Sequence, residues 1–139
     1  MSLMPVADAQ ARLLALRAPL GNENIALSES LGRYLSVDVI AQRDQPAAPL
    51  SAMDGYAFIH SIKHQYDIVS ISQAGDHSNL KLKANETVRI FTGAFVPDNA
   101  DTVVMQEHVI ANKDSILIAV MPQKGINVRL KGEQIAKDN

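Results

Sequence analysis

An acidic residue in a pattern typical of a turn is the first candidate for chemistry in this sequence. Asp54 and Gly55 stand in the segment 51–58, with small residues before them and aromatic residues after them. Gly accommodates a positive φ and Asp hydrogen-bonds nearby backbone groups, so the pair is typical of a tight turn that leads into a strand. Two interpretations are open: Asp54 stabilises its own turn, or it is a functional carboxylate held on a rigid bend.

A second candidate is the small-residue turn Thr92-Gly93-Ala94, which follows an apolar run. Two or three backbone N–H groups and one hydroxyl in such a turn could face an anion, as in a phosphate-binding nest. The lysine and the length of a Walker loop are absent, so a nucleotide-triphosphatase is not indicated. The alternative is an ordinary β-turn stabilised by Thr92.

The third candidate is a basic segment between two glycines, residues 125–132. Arg129 and Lys131 alternate with apolar residues, so both side chains would lie on one strand face and could hold a phosphate or a carboxylate. The alternative is an exposed basic strand face without a ligand.

The composition excludes several classes of function. The 139 residues fit one domain or two small lobes, and the net charge of -2 gives no electrostatic case for a nucleic-acid partner or an anionic membrane. No cysteine is present, which excludes disulfides, a thiol nucleophile and thiolate metal ligands. His60 and His64 fall in a predicted strand and turn, so no zinc site is expected. Without a signal-like segment or a run of 18 apolar residues, a soluble cytoplasmic protein is expected.

Helical patterns come first along the chain. Apolar residues at helical spacing predict an amphipathic helix over residues 5–17. Ser28 is placed as the N-cap of a second helix whose apolar face holds Leu31 and Leu35. Alternation then predicts a strand over residues 37–41.

The pattern changes after a proline-rich segment. Pro46 and Pro49 predict an extended hinge over residues 43–49. Beyond it, period-two alternation predicts short strands over 56–60, 66–73, 87–91, 102–106 and 115–120, with turns at 75–79, 97–99 and 112–114. The predicted fold class is α+β: a short N-terminal helical lobe joined by the Pro-rich hinge to a small, mainly antiparallel β lobe, either a sandwich or an open barrel.

Taken in order, three motifs resemble those of one family. They are Ser51-Ala52-Met53-Asp54-Gly55-Tyr56-Ala57, then Arg89-Ile90-Phe91-Thr92-Gly93-Ala94 with residues 100–107, then Gly125-Ile126-Asn127-Val128-Arg129 with Gly132-Glu133. From about Val6 to Glu133 the chain resembles the N-terminal part of the molybdopterin molybdenumtransferases, the family of MoeA and the gephyrin E domain.

The resemblance implies a division of the chain and a limit on its activity. The division is 1–45 as a helical and linker lobe, 46–135 as a small β domain, and 136–139 as the start of a return segment. That segment would lead towards an α/β domain and a C-terminal β domain that the family has in addition. The resemblance therefore implies that this part alone is inactive.

The family's activity gives the expected function. It is the insertion of molybdate into adenylylated molybdopterin with release of AMP, a transferase step of molybdenum cofactor biosynthesis assisted by Mg²⁺ or another divalent metal. Members are homodimers whose cleft lies between the α/β domain of one subunit and the small β lobe of the other. The resemblance assigns catalytic roles to Asp54 and Thr92, with Asp54 also as a metal contact. It assigns substrate binding to Ser51, Gly93, Ala94 and Arg129. These residue types suit that chemistry, since carboxylates bind hard cations and hydroxyls, amides and Arg hold oxyanions.

Three positions depart from the family pattern. Gln134 stands where the family commonly has Asp in Gly-Glu-Asp-Ile, and a neutral amide can neither neutralise a metal nor act as a base. Phe95 replaces a frequent Pro, and Pro49 replaces a frequent Asp. The alternative functions are therefore a non-catalytic binding or dimerisation module derived from the family, or a scaffold in a larger assembly.

Overall fold

The N-terminal unit of the chain contains an α-helix. The computed structural model describes residues 4–18, 20–76 and 80–139, and the chain divides between Val39 and Ile40 into two compact units. In the first, α1 spans Val6–Ala15, which confirms the first predicted helix. No helix among the described residues is long and apolar enough to cross a bilayer.

The other two elements predicted in this unit are corrected by the structure. The second helix is a single 3-10 turn, Leu27–Glu29, with Ala26 and not Ser28 at its N-cap. Gly32 has φ +79°, a left-handed conformation that no helix continues through. Residues 37–41 form no strand in the described structure, because none of its strands pairs with them. Of the turn predicted at 75–79, residues 77–79 lie outside the described part.

The second unit, Ile40–Asn139, is built on short strands. They are β1 Leu50–Ser51, β2 Gly55–Phe58, β3 Gln65–Ser72, β4 Glu86–Ile90, β5 Thr102–Met105, β6 Val109–Ala111, β7 Ser115–Ile118 and β8 Val128–Arg129. Six of them form one sheet in the order β5-β2-β4-β3-β7-β6, and β1 pairs with β8 in a separate ribbon. All pairs are antiparallel except β3 with β4.

The fold class is thus α+β with a mainly antiparallel, curled sheet, and the sheet stays open because β5 and β6 do not pair. The five predicted strands correspond to β2, β3, β4, β5 and β7, each within about two residues at either end. Strands β1 and β6 were not predicted, because two or three residues are too few to establish an alternating pattern. The strand expected around Arg129 and Lys131 is present as β8, but it covers only Val128–Arg129.

Strand β2 lies beside the edge strand β5 and is buried along its whole length. It pairs with β4 on one side and β5 on the other, with Gly55 opposite Ile90 and Met105. A Cβ atom built at Gly55 would lie 1.9 Å from the carbonyl oxygen of Val104. Only glycine permits this close approach of the two strands.

Most buried apolar residues of the described part fall in two clusters, one rich in aromatic side chains and one of smaller residues. The first contains Tyr56, Phe58, Tyr66, Val104, Ile116 and Ile118. The second contains Ala57, Ile90, Ala94, Val96 and Val103. The rings of Phe58 and Tyr66 lie 4.8 Å apart at 52°, a tilted aromatic pair within the first cluster.

The proline-containing segment runs beside the C-terminal residues. Gln45 N donates to Ile135 O at 2.8 Å, and Gly132 N donates to Pro46 O at 2.9 Å. The Asp44 carboxylate receives the N–H of Lys137 at 2.9 Å. The Gln45–Pro46 peptide bond is cis. The role of this segment as a hinge stays a prediction.

Candidate functional site

Two predicted residues from separate segments meet at one end of β2 and β4. Asp54 directly precedes β2, and Thr92 follows the end of β4. The register that places Gly55 opposite Ile90 brings their turns together. Asp54 Oδ1 then accepts hydrogen bonds from the N–H and from the Oγ1 hydroxyl of Thr92, each at 2.7 Å. Asp54 is therefore held by a neighbouring loop, in addition to its own turn.

These contacts favour the ionised form of Asp54. The hydrogen bonds from the Thr92 amide and hydroxyl, together with the positive charge of Arg89, lower the pKa of the Asp54 carboxyl below its ordinary value. Partial desolvation opposes this shift but does not outweigh it. At neutral pH the turn presents a fixed negative charge.

The backbone of the Asp54 turn is fixed as well. Gln106 N donates to Asp54 O at 3.1 Å. The hydroxyl of Ser51 donates to Met53 O at 2.6 Å and accepts from Met53 N at 3.3 Å. Ser51 is 1% exposed, and in this structure its hydroxyl shapes the turn; its predicted substrate contact stays a prediction.

The amides of residues 92–94 do not form a free anion-binding nest. Thr92 N–H is taken by Asp54, Gly93 N donates to Ser51 O at 2.9 Å, and Ala94 N donates to Phe91 O at 2.9 Å. Ala94 is also fully buried. The nest prediction is therefore corrected. Gly93, with φ +82°, and Ala94 close the loop against β1.

Arg129 lies near this loop through its backbone. In β8 it is opposite Leu50 of β1, and Ala52 N donates to Asn127 O at 2.9 Å. The Arg129 side chain is exposed and has no described hydrogen bond or ion pair with Asp54 or Thr92.

Lys131 does not share a strand face with Arg129, because β8 ends at Arg129. Its Nζ lies 3.2 Å from Asp44 Oδ2. The prediction of a shared strand face is corrected, and Lys131 pairs with Asp44 while both basic side chains remain exposed to solvent. That the two cations hold one ligand stays a prediction.

Two residues at the site received no role from the sequence. Arg89 Nη1 donates to Gly55 O at 2.9 Å, and Arg89 Nη2 donates to Gln106 Oε1. The guanidinium lies 5.2 Å from the Tyr56 ring centroid and 4.6 Å from that of Phe91. The sequence signal that could have indicated a role for Arg89 is its charge, since it stands between Val88 and Ile90 in the predicted strand 87–91, whose other residues are mostly apolar.

A metal ion would find a single oxygen ligand here. Both described hydrogen bonds of the Asp54 carboxylate go to Oδ1, which leaves Oδ2 without a described partner. Within the ranges that the structure describes, no three His, Cys, Asp or Glu residues are grouped to hold a metal. His60 and His64 ring nitrogens are engaged by the carbonyls of Pro122 and Ile118. Asp54 thus fits a minor contact to Mg²⁺ and not a complete site.

An apolar groove of about 520 Å³ lies at another place in the unit. It is lined by residues 107–110 and 119–122, along β6 and the segment that follows β7. Asp54, Thr92 and Arg129 are not part of its lining, so groove and candidate site are different features of the surface.

Comparison with known proteins places the chain in a family. Residues 4–139 match the family described as MoeA N-terminal region (domain I and II). A molybdopterin molybdenumtransferase of Haemophilus influenzae is 33% identical over 140 residues, covering 97% of this chain and 35% of that protein. The molybdopterin molybdenumtransferase of Staphylococcus aureus is also 33% identical, and the match covers 94% of this chain and 33% of that protein.

Solved structures give the same result. Two crystal structures of the molybdopterin biosynthesis MoeA protein from Pyrococcus horikoshii match 99% of this chain, with TM-scores of 0.73 and 0.82 and identities of 27% and 25%. The chain covers 37% and 39% of those proteins, so it spans little more than a third of its relatives. Since the family match covers nearly the whole chain, this protein belongs to the MoeA family and corresponds to its N-terminal region, domains I and II.

Proposed function

We propose that this chain supplies one wall of the cleft in which a MoeA-type protein inserts molybdate into adenylylated molybdopterin with release of AMP, a step of molybdenum cofactor biosynthesis. The observation that carries the proposal is the Asp54–Thr92 pair, in which the carboxylate is ionised and fixed by two hydrogen bonds of 2.7 Å. The names of the relatives, molybdopterin molybdenumtransferase, supply the reaction class.

The role proposed for Asp54 follows from its charge and its free oxygen. Thr92 orients Oδ1 and leaves Oδ2 for a ligand. A carboxylate oxygen is a suitable ligand for Mg²⁺, which proteins commonly hold through one or two carboxylates together with substrate oxygens. The metal, when bound, would neutralise oxyanion charge. Asp54 would contribute one ligand and fix its position.

Thr92 orients the carboxylate and is also exposed. Its hydroxyl proton is directed to Asp54, so the lone pairs of Oγ1 are left to accept a hydrogen bond from a ligand. We assign it both a positioning role towards Asp54 and a polar contact with substrate.

Arg129 is the proposed anion contact. It is exposed on β8, whose partner strand β1 leads within a few residues to Asp54. A guanidinium binds phosphate and molybdate-like oxyanions through parallel N–H donors. Together with Asp54, which follows the partner strand of β8 by a few residues, it would favour a ligand with an anionic group at one end and a metal-bound group at the other.

The test needs the domains that the relatives have in addition. We would join this chain to the remaining two thirds of the Haemophilus influenzae protein and measure AMP released from adenylylated molybdopterin with and without molybdate. Molybdate-dependent release above the level of the remaining domains alone is the expected result. Release equal to that of the remaining domains alone contradicts the proposal.

A second function, a non-catalytic binding or dimerisation module, is favoured by Gln134. Its side chain is exposed and neutral, and its backbone N donates a hydrogen bond to Gln45 O at 2.9 Å. Calorimetry with adenylylated molybdopterin and sedimentation of the chain separate the two functions. A stable dimer that releases no heat with the ligand supports the module.

A further inference from the structure

A closed set of contacts surrounds the peptide groups on both sides of Gly55. The carbonyl of Asp54 accepts from Gln106 N, and the carbonyl of Gly55 accepts from Arg89 Nη1. The side chain of Gln106 closes this set of contacts, because its Oε1 accepts a hydrogen bond from Arg89 Nη2. Arg89 and Gln106 together therefore fix the backbone that carries the Asp54 carboxylate.

The surroundings of Arg89 restrict its movement. Its guanidinium lies within 5.2 Å of the Tyr56 ring centroid and 4.6 Å of the Phe91 ring centroid, both inside the range of a cation–π contact. Tyr56 is buried and Phe91 is half-buried. The planar guanidinium can lie against both aromatic rings while its N–H groups donate to Gly55 O and Gln106 Oε1. The ammonium group of a lysine has no such planar set of donors.

We propose that Arg89 is the positioning residue of the candidate site: it holds the Asp54 turn at the distance and angle from which the carboxylate meets Thr92. The proposal rests on the proposed function, since positioning matters for catalysis only if Asp54 acts there. In this proposal Arg89 acts through its contacts within the protein. Its effect passes through Gly55 and Gln106 to the Asp54 backbone, and through its permanent charge to the carboxylate.

The position of Arg89 in β4 explains how it reaches both loops. It is opposite Tyr56 of β2, one residue from the Gly55–Ile90 pair, and Thr92 follows it by three residues. A side chain at this point touches the start of β2 while its own strand leads into the Thr92 turn. A change in the Arg89 contacts is therefore expected to separate the two turns.

The experiment uses three variants of the 139-residue chain, Arg89→Gln, Arg89→Lys and the control Lys113→Gln. Lys113 is exposed and has no described charge partner, so its variant removes one positive charge elsewhere. NMR would follow the Asp54 carboxyl carbon through a pH titration and the hydrogen exchange of the Thr92 amide. Thermal melting would be recorded for each variant.

For Arg89→Gln we expect the pKa of Asp54 to rise and the Thr92 amide to lose protection. In Arg89→Lys the positive charge is kept, so the pKa of Asp54 should stay low. The Thr92 amide should still lose its protection from hydrogen exchange, because the guanidinium contacts with Gly55 O and Gln106 Oε1 are gone. Lys113→Gln should change neither.

An unchanged Thr92 amide in a folded Arg89 variant overturns the proposal. If Arg89→Gln does not fold, the Lys variant decides by the same criterion. In the chimeric enzyme, the Arg89 substitution should lower kcat with little change in KM. The NMR test does not depend on this activity measurement. Absence of turnover in the parent chimera would contradict the proposed function and leave the positioning role to be decided by NMR.

Discussion

Asp54 Oδ1 accepts both the amide and the hydroxyl of Thr92, a residue 38 positions further along the chain. The two residues are brought together by the β2–β4 register and not by sequence proximity. This relationship joins two motifs that are separate in the sequence. It also lowers the pKa of the Asp54 carboxyl below its ordinary value.

Replacing Thr92 by Val should raise the pKa of Asp54 towards its ordinary value. Val keeps the branched shape and the backbone N–H but removes the hydroxyl, one of the two hydrogen bonds that favour the charged form. Thr92→Ser keeps a hydroxyl and should leave the pKa close to that of the parent. Carboxyl NMR titration measures both. Equal pKa values in the Val and Ser variants would show that the hydroxyl has no influence.

Gly55→Ala should prevent β2 from lying between β4 and β5. The added Cβ would meet Val104 O at 1.9 Å, so the strands must separate, at a cost of about 3 kcal/mol or more in the free energy of unfolding. Gly125→Ala is the matched control, because Gly125 has φ +85° but open space around it. Its cost should be about 1 to 2 kcal/mol, from backbone strain alone. Denaturant titration measures both. A Gly55 variant no less stable than the control would disprove the close approach.

Truncating Phe58 tests the aromatic core cluster. Phe58 is fully buried and packs on Tyr66, so Phe58→Ala should lower the free energy of unfolding by about 3 to 5 kcal/mol. Ile62→Ala, at a residue 96% exposed, should change it by less than about 0.5 kcal/mol. Urea denaturation of both variants makes the comparison. Similar losses would mean that the first cluster is not the main core.

Asp101 should make stability depend on pH. Desolvation alone would raise its pKa, but hydrogen bonds from His60 N–H and Thr102 Oγ1 and the ion pair with Lys124 outweigh it and lower the pKa. Its contribution is therefore complete above the unfolded value of about 3.9 and is lost as pH falls through the lower folded pKa.

Asp101→Ala should accordingly be less stable than the parent at pH 7, by about 1 to 2 kcal/mol, with the difference shrinking below about pH 4. Asp98→Ala, at an exposed carboxylate without described contacts, is the control and should show no such change. Denaturation at pH 7 and at pH 3 is the measurement. A difference between Asp101→Ala and the parent that is the same at both pH values would exclude this linkage.

Alternation and turn residues in the sequence were sufficient for most of the sheet. Strands with four or more residues, such as β2 and β3, were predicted because their side-chain pattern repeats. The helix expected after Ser28 was wrong, because Leu31 and Leu35 occur at helical spacing but Gly32 adopts a left-handed φ. Periodicity does not reveal such a backbone conformation.

The candidate site was predictable as a set of motifs but not as a geometry. Asp54 and Thr92 were identified, but their direct contact depends on a strand register that no local pattern encodes. Ser51 and Ala94 were given ligand contacts although both are buried, since the sequence does not tell which small residue of a turn faces inward. Arg89 received no role because its partners, Gly55 O and Gln106, lie on other segments.

Turnover of Asp54→Asn in the chimeric enzyme tests the central claim most directly. Asn keeps the size and can still accept from Thr92, but it lacks the charge. Molybdate-dependent AMP release should fall roughly 100-fold, as when a charge-stabilising group is removed from an active site, while the melting temperature stays close to that of the parent. Unchanged turnover, or a loss of activity that parallels a loss of stability, would contradict the account and leave Asp54 as a residue that only holds its turn.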